Sequence, residues 1–316
     1  MNDRIVIAGA SGFIGQYLVN AFLADGADVR TIGRTGDAVW GDPEAITALV
    51  DGADLLINLA GKSVNCRYTP RNRAEILRSR VETTRELSDA VAASSTPVPL
   101  WLNSSTATIY RHADDHPMTE STGELGEGFS VGIAKAWEKA FFAADLPPTR
   151  RVALRMAIVL GDGSALRPLL RLARFGLGGP QLDGPWISTR DKREAGAFHE
   201  WRDTGGHQMF SWISIDDVLG AIRHIRSHNE LDGAVNLSSP HPLPSNAVMA
   251  ILRTIVGAPF GIPAPRFLLE AGTFLLRTET ELVLKSRWVL PETLLRTGYE
   301  FEYGELEPAV RSITDK

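Results

Sequence analysis

The sequence predicts an α/β protein with a doubly wound parallel sheet, followed by a small, mainly helical C-terminal domain. Short apolar runs typical of buried strands alternate with amphipathic helical patterns over the first half of the chain, which is the order that builds a parallel sheet. A glycine-rich turn joins the first strand to the first helix. We therefore divide the chain into a core over residues 1–240 and a C-terminal domain over residues 241–316.

The first strand and the first helix carry the clearest pattern. Residues 5–8 form an unbroken apolar run, as expected for a strand that is buried on both faces. Ile14, Leu18 and Phe22 then recur every four residues and give the following segment one apolar side. This side is predicted to pack the helix against the sheet.

Three glycines lie between this strand and this helix, with the spacing G-x-x-G-x-x-G. Free N–H groups and the positive end of the helix dipole attract a phosphate at such a turn. Gly9 suits the tight turn, Gly12 lets the backbone approach a pyrophosphate, and Gly15 lets the helix press onto the strand. The turn is therefore predicted to bind a dinucleotide through Gly9, Ala10, Ser11, Gly12, Phe13, Ile14 and Gly15.

The second strand, residues 28–32, ends at Gly33 and Arg34. A site that prefers NAD places a carboxylate here to bind the ribose 2′-OH, whereas an arginine accommodates a 2′-phosphate. No acidic residue follows the strand until Asp37. Gly33 and Arg34 are therefore predicted to lie at the adenosine ribose, and NADP(H) is favoured over NAD(H). The alternative is that Arg34 is an exposed loop side chain without a ligand.

Two later strands end in small or hydroxyl-bearing residues. The strand that starts at residue 55 leads into Leu59, Ala60 and Gly61, where the ribose beside the nicotinamide would pass. The strand over residues 98–103 leads into Ser104–Tyr110. Ligands bind at the carboxyl ends of the strands in an open α/β sheet, so both ends are candidate site positions. The other predicted elements are helices over residues 43–50, from 70, over 129–144, from 216 and over 245–256, and strands over residues 151–160 and 235–237.

Three motifs together resemble the extended short-chain dehydrogenase/reductases, which bind NAD(P) on a Rossmann fold. They are the glycine turn, the Ser104–Tyr110 segment, and Leu154-Arg155 followed by Val159-Leu160-Gly161. The group includes nucleotide-sugar epimerases and dehydratases. The resemblance implies that Arg155 belongs to the cofactor site.

Further segments look like the "epimerase family protein" branch of this group, whose small C-terminal domain has no assigned function. The match extends over nearly the whole chain in order. Its segments are Asn58–Gly61, Ser79–Val81 with Thr84, Trp137-Glu138, Leu177–Pro180, Ser211–Ile213 with Asp216-Asp217, and Ser286–Pro291 with Leu294, Gly298 and Tyr299.

Relatives with established activity use a tyrosine four residues before a lysine for proton transfer, because the lysine lowers the pKa of the phenol. This chain lacks the pair. Aligned on Lys135, the tyrosine position holds Val131, and aligned on Glu138 it holds Ser130. The branch in general lacks the pair, so the usual mechanism does not carry over.

Three candidate catalytic residues remain. Thr106 matches the hydroxyl that orients the substrate oxygen in the relatives, Lys135 is the lysine of the helix, and Tyr110 is the nearest phenol. If Tyr110 does not supply the proton, the substrate has to need little acid assistance. An easily reduced acceptor such as a quinone fits this condition better than sugar epimerisation does.

Two departures from the relatives concern the substrate side. The relatives have histidine where this chain has Ser214, so one acid/base group is missing. Residues 183–206 form a charged insertion without an apolar period, in a segment that is short and glycine-rich in the relatives. We expect a long loop or a small hairpin near the substrate cleft, which acts either as a lid or as a tolerated surface insertion.

Composition restricts the other function classes. A formal charge of −5 argues against a general binder of nucleic acid or of anionic membranes. The sequence shows neither a signal peptide nor an apolar run of about 20 residues, which predicts a cytoplasmic protein without a membrane span. Its assembly is expected to be a monomer or a homodimer.

Other chemistries have weaker support. His224 and His228 are four residues apart on a predicted helix, but no carboxylate completes a zinc motif, so no metal site is predicted and the better interpretation is a solvated helix side. Cys66 is the single cysteine, which excludes an internal disulfide, and no histidine partner accompanies it.

Two functions therefore stand after the sequence. The first is an NADP(H)-binding oxidoreductase or epimerase-like enzyme that acts on a small molecule. The alternative is a non-catalytic module that binds NADPH and reports its level to a partner.

Overall fold

The computed structural model describes residues 3–146, 148–164, 166–275 and 279–315. Seven parallel strands form the main sheet of this part of the chain: β1 (Arg4–Ala8), β2 (Asp28–Gly33), β3 (Ala38–Val39), β4 (Leu55–Asn58), β5 (Leu100–Thr106), β6 (Arg150–Met156) and β10 (Gly233–Leu237). Their order across the sheet is β3-β2-β1-β4-β5-β6-β10. The predicted doubly wound parallel sheet is confirmed, and its order reverses between β1 and β4, where such sheets bind ligands.

Helices cover both faces of the sheet. One face packs against α1 (Phe13–Ala24) and α7 (Ile215–Ser227), the other against α2 (Pro43–Val50), α3 (Pro70–Ala93) and α4 (Phe129–Phe142). Successive strand residues point to opposite faces, so Ile5 and Ile7 join one core while Val6 joins the other. This double burial explains the continuous apolar runs of the strands.

Side chains cap the starts of α2 and α3, each of which begins at a proline. The Asp42 carboxylate accepts a hydrogen bond from the N–H of Ala45 at 3.0 Å, and the Thr69 hydroxyl accepts one from the N–H of Asn72 at 3.3 Å. Proline lacks the N–H that would have no partner at this position, so both starts follow from local sequence.

A third core joins the C-terminal helical region to residues 158–173 and to Trp212, outside the main sheet. It contains buried apolar residues such as Trp212, Leu252 and Val310. The helical character predicted for this region is confirmed, and the division at residue 240 stays a prediction. The remaining elements are β7 (Ile158–Leu160), β8 (Met209–Phe210), β9 (Trp212–Ser214), β11 (Leu243–Pro244), a 3-10 turn (Ala107–Ile109), α5 (Leu166–Arg174), α6 (Arg190–Glu194), α8 (Ser245–Val256), α9 (Arg266–Leu275), α10 (Glu281–Leu284), α11 (Glu292–Arg296) and α12 (Leu306–Thr314).

The strand predicted over residues 151–160 is in fact two strands, β6 and β7, which part at Ala157. The N–H of Ala157 still bonds to Leu237 of β10 at 2.9 Å, but the N–H of Ile158 bonds to Ser211 at 3.2 Å. β7 therefore leaves the main sheet and pairs with β9. An apolar run shows burial but not which strand lies beside it, so the sequence pattern did not reveal the break.

The insertion over residues 183–206 contains the short helix α6, where a loop or hairpin was expected. Thr189 caps this helix through the N–H of Lys192. The carbonyl of Gly196 accepts from the N–H of Phe129 at 2.9 Å, and Ala197 is buried against Tyr68. The insertion thus packs over the start of α4, where the family resemblance places the missing tyrosine and lysine pair.

Candidate functional site

The turn between β1 and α1 requires glycine at two of its three glycine positions for reasons internal to the fold. Gly9 has a φ of 81°, and a Cβ atom there would lie 2.7 Å from the carbonyl carbon of Leu59. A Cβ atom at Gly15 would lie 2.5 Å from the carbonyl oxygen of Gly9. A Cβ atom at Gly12 would lie 3.4 Å from the carbonyl oxygen of Gly9, which is an ordinary contact distance. The described residues therefore leave room beside Gly12.

The start of α1 is suited to an anion. Gly12 occupies the cap position without a side-chain hydrogen bond, and no acidic residue lies in the first turn, all of which is described. The first N–H groups of a helix lack partners within it and carry partial positive charge. Ser11 is exposed beside them, while Ile14 packs on the core, so the predicted residues of this turn divide into a ligand side and a packing side.

An exposed arginine follows the end of β2, and the nearest carboxylate is hydrogen-bonded to the strand. Arg34 is exposed. The Asp37 carboxylate accepts hydrogen bonds from the N–H and the hydroxyl of Thr31 at 2.8 and 2.9 Å. Burial alone would raise the pKa of Asp37, but these bonds and the charge of Arg30 hold it below its usual value. Asp37 is therefore an ionised acceptor that Thr31 already occupies.

The end of β4 lies directly against the glycine turn. The N–H of Leu59 donates to Ala8 at 2.8 Å, and the N–H of Ala60 donates to the side chain of Asn58 at 3.0 Å. The Asn58 amide in turn donates to Asn103 of β5 at 2.7 Å. The structure thus brings the predicted Leu59–Gly61 segment and the glycine turn together at the switch point of the sheet.

A largely buried arginine lies beside this segment. A Cβ atom at Gly61 would lie 3.1 Å from the guanidinium carbon of Arg80. Arg80 donates to the carbonyl of Lys62 at 2.9 Å, and its guanidinium lies 4.9 Å from the ring centroid of Trp137. Burial lowers the pKa of Arg80 to about 10. The sequence places Arg80 on the inner side of α3 but gives no sign that it reaches the cofactor side.

A closed hydrogen-bond network, which we call the β5 corner, lies at the end of β5. The corner consists of Ser105, Tyr110, Glu138, Arg155 and Asn236. Arg155 forms a two-nitrogen ion pair with Glu138, 2.8 Å for each nitrogen, and both side chains are 12% exposed. Ser105 donates to the same carboxylate at 2.6 Å. Arg155, predicted at the cofactor, is therefore committed to Glu138 within the protein.

Tyr110 is held within the β5 corner. Its hydroxyl accepts from Arg155 at 2.9 Å and donates to the side chain of Asn236 at 2.9 Å. The residue is 1% exposed, and burial raises its pKa although the Arg155 charge opposes the rise. Tyr110 was a candidate proton donor to the substrate on sequence grounds. The geometry favours a structural role, because side chains of the two neighbouring strands already bond to its hydroxyl.

The other two candidate catalytic residues have different partners. Thr106 is half-buried at the end of β5, where its hydroxyl accepts from the N–H of Thr108 at 3.1 Å. Lys135 is exposed and donates to the carbonyl of Gly126 at 2.8 Å. Thr106 keeps a position at the ligand end of the sheet, while Lys135 is bound to a loop.

The C-terminal region supplies site residues that the sequence analysis missed. Ser130 donates to Glu281 at 2.9 Å. Lys285 donates to the carbonyl of Thr108 at 2.8 Å, and Arg287 donates to its hydroxyl at 3.2 Å. Burial lowers the pKa of Lys285 to about 8. The sequence signal for these residues was that Lys285 and Arg287 directly precede the apolar run of residues 288–290. Charged side chains beside a buried run need partners, so these two were candidates for contacts with another segment.

Tyr68 is a second buried phenol near Ser130. It is 1% exposed, its ring lies edge-on to Phe129 with 4.8 Å between centroids, and its N–H donates to Glu279 at 2.7 Å. Burial raises the pKa of Tyr68 to about 12, and a hydrogen bond to Ser130 opposes the rise. Lys192 of the insertion also reaches Glu279, at 2.7 Å. Three distant segments thus meet above the end of β5.

The remaining candidates have structural partners. Ser214 caps α7 by accepting from the N–H of Asp217 at 2.9 Å. The rings of His224 and His228 stack with 3.9 Å between centroids, and His224 bonds to Thr297 at 2.8 Å. Burial raises the pKa of Cys66, which lowers the fraction of the side chain that is present as the reactive thiolate. Within the described residues, no group of three or more His, Cys, Asp or Glu side chains is arranged to hold a metal ion.

Comparison with known proteins agrees with this geometry. The model of the NAD dependent epimerase/dehydratase family matches residues 5–136, and a domain of unknown function, DUF1731, matches residues 264–313. The chain is similar to proteins of this epimerase family over nearly its whole length. It is 29% identical over 98% of its length to the epimerase family protein SDR39U1 of Bos taurus, and 25% identical over 98% to the epimerase family protein YfhF of Bacillus subtilis. It covers 99% and 97% of these two proteins.

Solved structures show the same fold. The human epimerase family protein SDR39U1 (isoform 2), crystallised with NADPH, superimposes with a TM-score of 0.83 at 26% identity, and 99% of each chain is covered. The UDP-N-acetylglucosamine 4-epimerase of Bacillus cereus has a TM-score of 0.70 at 16% identity, with 99% of this chain and 95% of the other covered. The second likeness shows the fold alone.

Proposed function

We propose that this protein binds NADP(H) at the glycine turn and transfers hydride between it and a small-molecule substrate. The observation that carries the proposal is Gly12. The fold itself calls for glycine at Gly9 and Gly15, whereas the open side of Gly12 and the free helix start suit a pyrophosphate. The NADPH in the human relative supports the choice of cofactor.

The preference for the phosphorylated cofactor rests on Arg34 and Asp37. Arg34 is exposed at the end of β2, where a 2′-phosphate would lie. Oδ2 of Asp37 accepts from Thr31 and Oδ1 lies 3.7 Å from Arg30, so this carboxylate is paired with residues of β2 and is not presented alone to a ribose 2′-OH. Both features favour NADP(H).

The proposed reaction is reduction of an acceptor that needs little help from an acid. Bound NADPH would supply the hydride, with the Leu59–Gly61 segment beside its ribose. Thr106 is the hydroxyl placed to orient a substrate oxygen. The phenol of Tyr110 is occupied within the β5 corner, and the helix position of the usual tyrosine holds Val131 or Ser130, depending on the alignment. A readily reduced acceptor such as a quinone fits this site better than a sugar whose carbon has to be deprotonated.

The same corner supports the alternative function. The polar groups of the β5 corner pair with each other and leave no free acid for a substrate. A module that binds the cofactor without catalysing a reaction needs no such acid. In that case the C-terminal region would pass the bound state of the cofactor to a partner.

A cofactor titration followed by an acceptor panel tests the proposal. Fluorescence titration should show tighter binding of NADPH than of NADH, and Arg34→Ala should weaken NADPH binding about tenfold to a hundredfold, because it removes a charge-assisted contact worth roughly 1.5–3 kcal/mol. Arg78→Ala, which removes an exposed arginine of α3, is the control and should keep the preference. Equal affinities for both cofactors in the wild-type protein would overturn the assignment of Arg34.

The absorbance of NADPH then separates the two functions. Loss of absorbance with any quinone, aldehyde, ketone or sugar nucleotide identifies an oxidoreductase. Tight NADPH binding without turnover across the panel favours the binding module.

A further inference from the structure

Helix α9 buries polar side chains and exposes apolar ones, which is the reverse of an ordinary surface helix. Its inner side carries Arg266 and Thr273, which are 4% and 5% exposed. Its outer side carries Phe267, Leu268 and Phe274, of which Phe274 is 71% exposed. A surface helix of a globular protein normally buries its apolar side, so this arrangement calls for an explanation.

The inner side of α9 is used to hold the insertion. Arg266 donates to Asp183 at 2.6 Å and to Glu270 at 2.7 Å. His199 of the insertion lies 2.8 Å from the same Asp183 carboxylate. These contacts fix the orientation of the helix, so its apolar side points outward as a consequence of the fold.

The outer side of α9 belongs to a larger surface, which we call the apolar face. Two segments that run side by side extend it: the N–H of Ile262 bonds to Gly176 at 2.8 Å, and the N–H of Leu182 bonds to Ala264 at 2.9 Å. The exposed members of the apolar face are Phe175, Leu177, Trp186, Ile187, Phe260, Ile262, Phe267, Leu268 and Phe274. The two paired segments bring several of these residues together, since the Phe260 ring would lie 3.0 Å from a Cβ atom at Gly176. Exposed apolar side chains gathered in this way mark an interaction site.

The rim of the apolar face carries positive charge. Arg171 and Arg174 are exposed in the last turn of α5, directly before Phe175. Within the described residues neither forms an ion pair, and the pair on this helix is that of Arg167 with Asp162. A basic helix edge beside exposed aromatic side chains is the pattern of a membrane-surface helix.

We propose that the apolar face docks on the surface of an anionic lipid bilayer. Aromatic and aliphatic side chains would enter the interface between headgroups and acyl chains, with Arg171 and Arg174 among the lipid phosphates. None of the described helices is long and apolar enough to cross a bilayer, so the contact is peripheral. The net negative charge of the whole chain does not describe this face.

Vesicle co-sedimentation tests the proposal. The full-length protein should sediment with vesicles of phosphatidylcholine and phosphatidylglycerol, less with phosphatidylcholine alone, and less at high salt. The double substitution Phe267→Glu with Phe274→Glu should lower the bound fraction at least tenfold. Arg171→Gln with Arg174→Gln should lower it roughly 25-fold, at about fivefold for each arginine. Leu295→Glu, a similarly exposed residue outside the face, should bind like wild type.

Circular dichroism and NADPH binding establish that each variant is folded, and the arginine pair keeps the test decisive if the phenylalanine pair fails to fold. Absence of wild-type sedimentation with anionic vesicles would overturn the proposal. So would light scattering that shows a dimer which the Phe267→Glu and Phe274→Glu variant dissociates, because a second copy would then cover the face.

Discussion

The glycine turn and the β5 corner both lie at the carboxyl ends of central strands. They differ in whether their polar groups have hydrogen-bond partners within the protein. In the turn, the N–H groups at the start of α1 lack side-chain caps and face open space beside Gly12. In the corner, Arg155 and Tyr110 find their partners within the protein. The turn leaves backbone donors for the ligand that we propose, whereas the corner connects β5, β6 and β10 through its own hydrogen bonds.

The two regions differ where the family resemblance of the sequence leads us to expect an acid. Here the phenol of Tyr110 is one hydrogen-bonded member of a buried ion-pair network. Under the proposed function, the cofactor would bind at the turn, whereas the corner would serve the framework of the sheet.

The largest expected effect is loss of cofactor binding in Gly12→Val. The new side chain would occupy the space of the pyrophosphate without a clash inside the protein, so NADPH titration should detect no binding while thermal unfolding stays near wild type. Gly15→Val is the matched variant and should fail to fold, because its Cβ atom would meet the carbonyl of Gly9. Wild-type NADPH affinity in Gly12→Val would remove the distinction between turn and corner.

The next effect is on stability, through Arg155→Ala in the corner. Glu138 would be left as a buried charge without its partner, which costs about 3–5 kcal/mol in the free energy of unfolding. Urea denaturation measures the loss. Arg78→Ala, which breaks an exposed arginine–glutamate contact on α3, should cause little change. If Arg155→Ala instead leaves stability intact and weakens NADPH binding, Arg155 serves the cofactor as the sequence analysis expected.

A pH effect should come from His112, next to the corner. Its Nδ1 accepts from the N–H of Ser286 at 3.2 Å, and its side chain is 8% exposed. Burial, helped by the charges of Arg202 and Lys285, lowers its pKa from 6.5 to about 4. The unfolded chain therefore binds a proton more readily than the native protein between these values, so stability is lost as the pH falls from about 6.5 to 4.

The slope should reach about 1.4 kcal/mol per pH unit in that window. Urea midpoints measured across it in wild type and in His112→Asn, whose amide oxygen preserves the acceptor, give the test. An identical slope in both proteins would assign the acid sensitivity to other groups.

The smallest effect concerns Tyr110 itself. Tyr110→Phe should lower stability by about 1–2 kcal/mol, because Arg155 and Asn236 each lose a hydrogen-bond partner. Once an acceptor is known, kcat should stay close to wild type in Tyr110→Phe and fall in Thr106→Val. A large kcat loss in Tyr110→Phe without a loss of stability would instead make the corner an acid site.

Local sequence predicted the glycine turn because its parts are contiguous. The strand, the three glycines and the first helix lie within residues 5–22, and each position answers to a short-range rule of burial, turn geometry or helix periodicity. The parallel sheet followed from the same rules, repeated along the first half of the chain.

The β5 corner, the break at Ala157 and the orientation of α9 were decided only in three dimensions. Tyr110, Arg155 and Asn236 come from segments far apart in the chain, and the insertion reaches α9 through Asp183. Whether an arginine binds a ligand or a glutamate depends on which strand lies beside it. Side-chain periodicity records burial and not partners, because hydrogen bonds and ion pairs between distant segments form only after the backbone has brought those segments together.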